Sequence, residues 1–196
     1  MVETRPPFRF DDDQRWNVVQ EISMPNEQQL KWDKRYIHLA KEVGSWSKDP
    51  STKVGAVAVG DHGQVLSQGY NGFPRGISDN PERLANRELK YRYIVHAEMN
   101  AIYNASLAGV SLNGATMYVH GLPCCSECTK GLIQVGIKRI VMPAQEVPEK
   151  WKDSWQLSRR MCEEAHVQID LVSDSGRSES LEPNPWEPVK SVIKAT

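Results

Sequence analysis

The sequence predicts an α/β fold, a three-layer α/β/α sandwich around a mixed central sheet of about five strands. Three observations lead there. Short apolar runs alternate with longer segments of helical period, the pattern of strands covered by helices on both faces. The first two runs, Val54 to Val59 and Val65 to Tyr70, are separated by the turn residues Asp61-His62-Gly63, which read as a hairpin. The 196 residues, 39% hydrophobic and 25% charged, suit one ordinary globular domain large enough to bury its core without disulfide staples.

Taken in order, residues 1–26 hold Pro6, Pro7, Pro25 and the acidic run Asp11, Asp12, Asp13, with few periodic apolar positions. They read as a flexible arm whose Phe8, Phe10 and Trp16 could dock on a neighbour. From Glu27, Leu30, Tyr36, Ile37, Ala40 and Val43 recur at helical spacing, with Asn26 as N-cap and Gly44 as the end. Lys48-Asp49-Pro50-Ser51 is turn chemistry before the first strand. Asn71 to Val95 is a long insert with a short helix around Pro81 to Lys90, and a connection of that length in a compact domain is usually functional. A helix from Ala97 to Ala108 and a strand from Thr116 to Val119 follow, then a helix from Glu127 to Val135 and a strand from Arg139 to Met142. A helix from Trp151 to Ala165 and a strand from Val167 to Leu171 complete residues 27–172, the expected catalytic domain. Residues 173–196, with Pro183, Pro185 and Pro188, read as a flexible tail. No internal repeat is visible.

Composition narrows the function. Twenty-four Lys and Arg against 25 Asp and Glu leave a net charge of −1, so no field draws the chain to nucleic acid or anionic lipid. The longest apolar stretch is too short to span a bilayer, and the N-terminus carries no apolar signal core. The expectation is a cytoplasmic chain without membrane or nucleic-acid partners. Three of the four cysteines crowd into Cys124, Cys125 and Cys128, which indicates metal chemistry rather than a disulfide framework.

The chemistry concentrates in His96-Ala97-Glu98 and, further on, Cys125-Ser126-Glu127-Cys128. One imidazole and two thiolates suit a tetrahedral zinc, and three protein ligands instead of four leave a coordination position for water. Both groups fall at predicted helix starts, where free N–H groups and the helix dipole favour thiolates. A neutral histidine with two thiolates nearly cancels the charge of the ion, so a base must stand beside the water. Glu98, in the first helical turn, is the candidate. A CxxC alone would more often be structural zinc or a redox pair; the joint pattern argues for a hydrolytic zinc site of the deaminase type.

Val95-His96-Ala97-Glu98-Met99-Asn100-Ala101-Ile102 resembles the zinc motif of deoxycytidylate (dCMP) deaminases, within the zinc-dependent cytidine deaminase superfamily. Asp49-Pro50-Ser51-Thr52-Lys53-Val54-Gly55-Ala56 and Gly69-Tyr70-Asn71-Gly72-Phe73-Pro74-Arg75-Gly76 are similar to that branch as well. The resemblance runs from about Trp32 to Val172 and implies hydrolytic conversion of dCMP to dUMP and ammonia, with one Zn²⁺ per chain and Glu98 moving the protons. It also implies a homo-oligomer, often a hexamer, and regulation by dCTP and dTTP, with Mg²⁺ accompanying a dCTP effector. The family places Pro directly before its first ligand cysteine, whereas here Pro123 is followed by Cys124 and Cys125. The CxxC spacing selects Cys125 and Cys128, with Cys124 the alternative to Cys125. No ligand set for a second, structural zinc is present.

The matching asparagine of relatives contacts sugar or base, which makes Asn71 a substrate contact; its bland reading is a turn dipeptide with Gly72. Ala97 is placed with it. Ser51 and Lys53, with Ser47 and Lys48, are phosphate candidates from the loop before the first strand. Arg83, Arg87, Lys90 and Arg92 read as a solvated helix face, and Trp151 and Trp155 as core or interface. Two other readings stand beside dCMP deamination: a deaminase of another cytosine nucleoside or nucleotide or of tRNA adenosine, and a catalytically silent nucleotide-binding zinc scaffold.

Overall fold

The computed structural model describes residues 27–173 and the strand Ser178–Ser180. The expected arm 1–26, with its Asn26 cap, and the rest of the expected tail lie outside the described residues. Helix α1 (Glu27–Ser45) precedes the hairpin β1 (Gly55–Val59) and β2 (Val65–Tyr70). The insert carries α2 (Pro81–Ala85) and α3 (Arg87–Tyr93), and α4 (Ala97–Ala108) follows it directly. Then come β3 (Thr116–His120), α5 (Ser126–Gln134), β4 (Arg139–Pro143), a 3₁₀ turn Glu149–Trp151, α6 (Lys152–Glu164), β5 (Gln168–Val172) and β6 (Ser178–Ser180). No helix among the described residues is long and apolar enough to cross a membrane.

The sheet order is β2-β1-β3-β4-β5-β6. β1 is antiparallel to both β2 and β3, β3 to β5 run parallel, and β6 returns antiparallel to β5. The five expected strands are all present in a mixed sheet, and a sixth adds to its edge from within the segment read as a tail. The single expected insert helix is two: Asn86 caps α3 by accepting from Leu89 N while its own N–H closes α2 on Glu82 O.

Period-two alternation divides the core between the two faces. Val57, Val59, Tyr118 and Val141 meet Ala40 and Val43 of α1. Ala56, Ala58, Met117, Ile140 and Met142 meet α4, α5 and α6 through Ala97, Ala101, Ala105, Leu132 and Cys162. β1 is buried along its whole length because it is covered on both faces, which explains its unbroken apolar run. The buried stripe of α4 is alanine, so its backbone lies close to the sheet. A Cβ on Gly69 would collide with the carbonyl of Ala97 and the amide of Ala101. That close approach seats the N-terminus of α4.

Candidate active site

Two helix starts are brought together. α4 opens with His96 at its N-cap position, and α5 opens with Cys125 at its own, the Cys125 thiol accepting from Cys128 N at 3.5 Å. The insert is pinned at its ends: Gly72 and Val95 exchange backbone hydrogen bonds of 3.1 and 2.8 Å. His96 is thereby held beside Asn71 although the intervening chain is long.

The Nδ1 of His96 lies 3.4 Å from Cys125 Sγ and 3.4 Å from Cys128 Sγ, and the three donor atoms fall within 4.8 Å of one another. Zinc bonds of about 2.3 Å to sulfur and 2.05 Å to nitrogen at tetrahedral angles would set S and N about 3.5 Å apart. The donor set fits zinc in both chemistry and spacing. Cys124, the alternative ligand, is not in the group. Its fully buried Sγ lies 3.4 Å from Thr129 Oγ1, which in turn lies 2.5 Å from Ser158 Oγ.

The charges are strongly coupled. Hydrogen bonding from Cys128 pulls the Cys125 thiol down to about 4 against the opposing effect of burial, with His96 assisting. The same contact, with burial, pushes the Cys128 thiol up. His96 is raised chiefly by its contact with Cys125. Glu98 is 3% exposed, and burial raises its carboxyl above the usual range, with the Cys125 thiolate adding to the shift. A carboxyl raised in this direction holds a proton more readily than a free one, as a group that must take a proton from water requires.

His96, Glu98 and Cys125 share a cavity of about 290 Å³ with Asp49, Thr52, Asn71 and Lys90, and with Lys150 and Trp151 of the 3₁₀ turn. The sequence-predicted contacts divide. Asn71 lines the cavity, but its amide also holds the chain together, Oδ1 accepting from Val54 N at 2.8 Å and Nδ2 donating to Thr52 O at 2.9 Å. Ala97 is buried in the core and does not line the cavity. Lys53 turns away: its Nζ donates to the carbonyl of Ser45 at 3.0 Å, and it too is absent from the lining. Ser47 spends its hydroxyl on Asn71 O, and Lys48 pairs with Asp79 on the surface. Ser51 hydrogen-bonds both Asp49 and Lys90.

Two residues depart from their sequence reading. Lys90, expected on a solvated face, is 5% exposed and lines the cavity. Trp151 lines it as well, whereas Trp155 is core. Neither departure had a local signal. Lys90 sits in a run of alternating charge, and its partner Asp49 is far away in sequence.

The profile of the cytidine and deoxycytidylate deaminase zinc-binding region matches residues 30–144. The chain belongs to that family. It is 40% identical over 141 residues to an uncharacterized deaminase of the luxG 3′ region of Aliivibrio fischeri, covering 71% of this chain and 92% of that one. It is also 40% identical over 130 residues to the deoxycytidylate deaminase of Mus musculus, covering 64% and 69% of the two chains. The fold is shared with the dCMP deaminase of cyanophage S-TIM5, solved with dCMP and dUMP, at a TM-score of 0.58 and 22% identity over 72% of this chain and 97% of that one.

Proposed function

We propose that this deaminase acts on dCMP, yielding dUMP and ammonia. The observation that carries the reading is the His96, Cys125 and Cys128 donor set beside the buried carboxyl of Glu98, which shares a cavity with His96 and Cys125. Those three side chains would hold zinc, which would supply Lewis acidity to a water molecule. Glu98 accepts the proton that the attacking water loses as its oxygen adds to C4 of cytosine, and delivers it to N3. Glu98 then takes the proton remaining on the C4 hydroxyl and passes it to the amino group, which leaves as ammonia as C4 becomes the carbonyl of the uracil product. Burial of Glu98 suits this duty, because it raises the carboxyl's affinity for the proton that the water must lose.

The likeness to deoxycytidylate deaminases supports the nucleotide over other cytosine substrates. Among the described residues, Lys150 lines the cavity without an ion pair and is the cation we assign to the phosphate; Ser51, whose hydroxyl is spent on Asp49 and Lys90 and which does not line the cavity, is not. The homo-oligomer and the dCTP and dTTP effectors with Mg²⁺ rest on the family resemblance. Ammonia release measured with dCMP and deoxycytidine tests the reading. Two charge-assisted hydrogen bonds to the phosphate, discounted for exposure, predict a preference for dCMP of about a hundredfold in kcat/KM. Equal values would reject the assignment in favour of a nucleoside deaminase.

A further inference from the structure

An ion pair is buried in the cavity wall. The side chains of Lys90 and Asp49 are 6% and 3% exposed, and Lys90 Nζ lies 2.9 Å from Asp49 Oδ1. The same carboxylate oxygen accepts from Ser51 N at 2.8 Å, Ser51 Oγ at 2.8 Å and Thr52 N at 3.2 Å. Four donors crowd onto Oδ1, while Oδ2 accepts from none of the described residues. Nor is Oδ2 sealed in protein: among the described residues only Trp151 Nε1 is a buried side-chain polar atom without a partner. Asp49 lines the cavity where substrate binds, and Oδ2 is its oxygen left without a protein donor.

The chemistry of this pair selects its ligand. An ionised carboxylate oxygen is an acceptor only. The ammonium beside it cancels its charge, so the wall holds no net attraction for a cation, and a phosphate would meet the lone pairs of Asp49. A neutral O–H donor gains most there. Lys90 commits two of its three N–H bonds, to Asp49 and to Ser51 Oγ at 2.6 Å, which leaves one to reach the lone pair of the same hydroxyl.

We infer that Asp49 is a specificity-determining residue that receives a sugar hydroxyl of the substrate, with Lys90 as the positioning residue that holds and neutralises it. The inference rests on the dCMP reading above, since the sugar of dCMP carries one free hydroxyl, at C3′. Phosphate and sugar are thereby assigned to different groups in the cavity.

The test compares dCMP with 2′,3′-dideoxy-CMP on the zinc-loaded full chain. Wild type is expected to favour dCMP by ten- to a hundredfold in kcat/KM, the worth of one hydrogen bond to a charged group. Calorimetric binding of dUMP and 2′,3′-dideoxy-UMP should show the same ratio without turnover. Asp49→Asn, and the double variant Asp49→Asn/Lys90→Met that leaves no unpaired buried charge, should bring the ratio to within a few-fold of unity while zinc content stays the same. A wild-type ratio near one in both measurements, or full wild-type discrimination in either folded variant, overturns the inference. Turnover of dCMP without discrimination removes the hydroxyl site alone, whereas failure to turn over dCMP removes the functional reading and this site with it.

Discussion

Two buried ionic clusters in this protein are built from the same chemistry and finished differently. Beneath α1, Arg139 joins Asp33 and Asp170, whose side chains are 0% and 1% exposed. Every oxygen there is taken: Asp33 accepts from Arg139 through both oxygens and from Tyr118 OH and Gln29, and Asp170 accepts from Arg139 and Gln168. The cluster ties α1 to β4 and β5 and has nothing left to offer a ligand. In the cavity, Asp49 crowds its donors onto one oxygen and leaves the other open, and the carboxyl of Glu98 stands beside the metal-binding group. A buried charge that is fully satisfied acts on the fold, whereas one left partly unsatisfied at a cavity acts on a ligand.

The contrast can be tested by damaging each region in turn. The largest effect belongs to the metal-binding group. Cys125→Ser and Cys128→Ser should each take the zinc content of purified protein from about one per chain to none, because a thiolate ligand is lost outright. Cys124→Ser should retain the metal; elemental analysis of the three variants decides the register, and retention by Cys125→Ser with loss in Cys124→Ser would reverse it.

Next comes the closed cluster. Arg139→Met strands two buried carboxylates and should cost about 3–5 kcal/mol of stability. For a chain of this size that is a fall of roughly 10 °C in melting temperature, with turnover per folded molecule unchanged at lower temperature. An unaltered melting curve would show that Asp33 and Asp170 find other partners.

The smallest of the three in free energy is confined to rate. Glu98→Gln should lower kcat by at least about a hundredfold, equivalent to about 2.7 kcal/mol of barrier, with zinc and melting temperature preserved. Near-normal turnover in a zinc-loaded variant would remove Glu98 from the proton transfers.

The sequence by itself determined the layered α/β class, the order of the elements and the pairing of His96 with the clustered cysteines. Those features rest on local patterns: strand and helix periods, and short motifs at helix starts whose free N–H groups suit anionic ligands. Only the tertiary structure shows which cysteine side chain lies with His96 and Cys128, because Cys124 and Cys125 are neighbours in sequence and differ in the face of the chain they occupy. It also decided that Lys90, not Lys53, reaches the cavity. Whether a lysine is solvated or buried depends on whether a carboxylate from a distant segment meets it, and Asp49 does so through a contact spanning 41 residues. Periodicity reports how a segment buries its own face; it carries no record of which remote side chain will complete a charge.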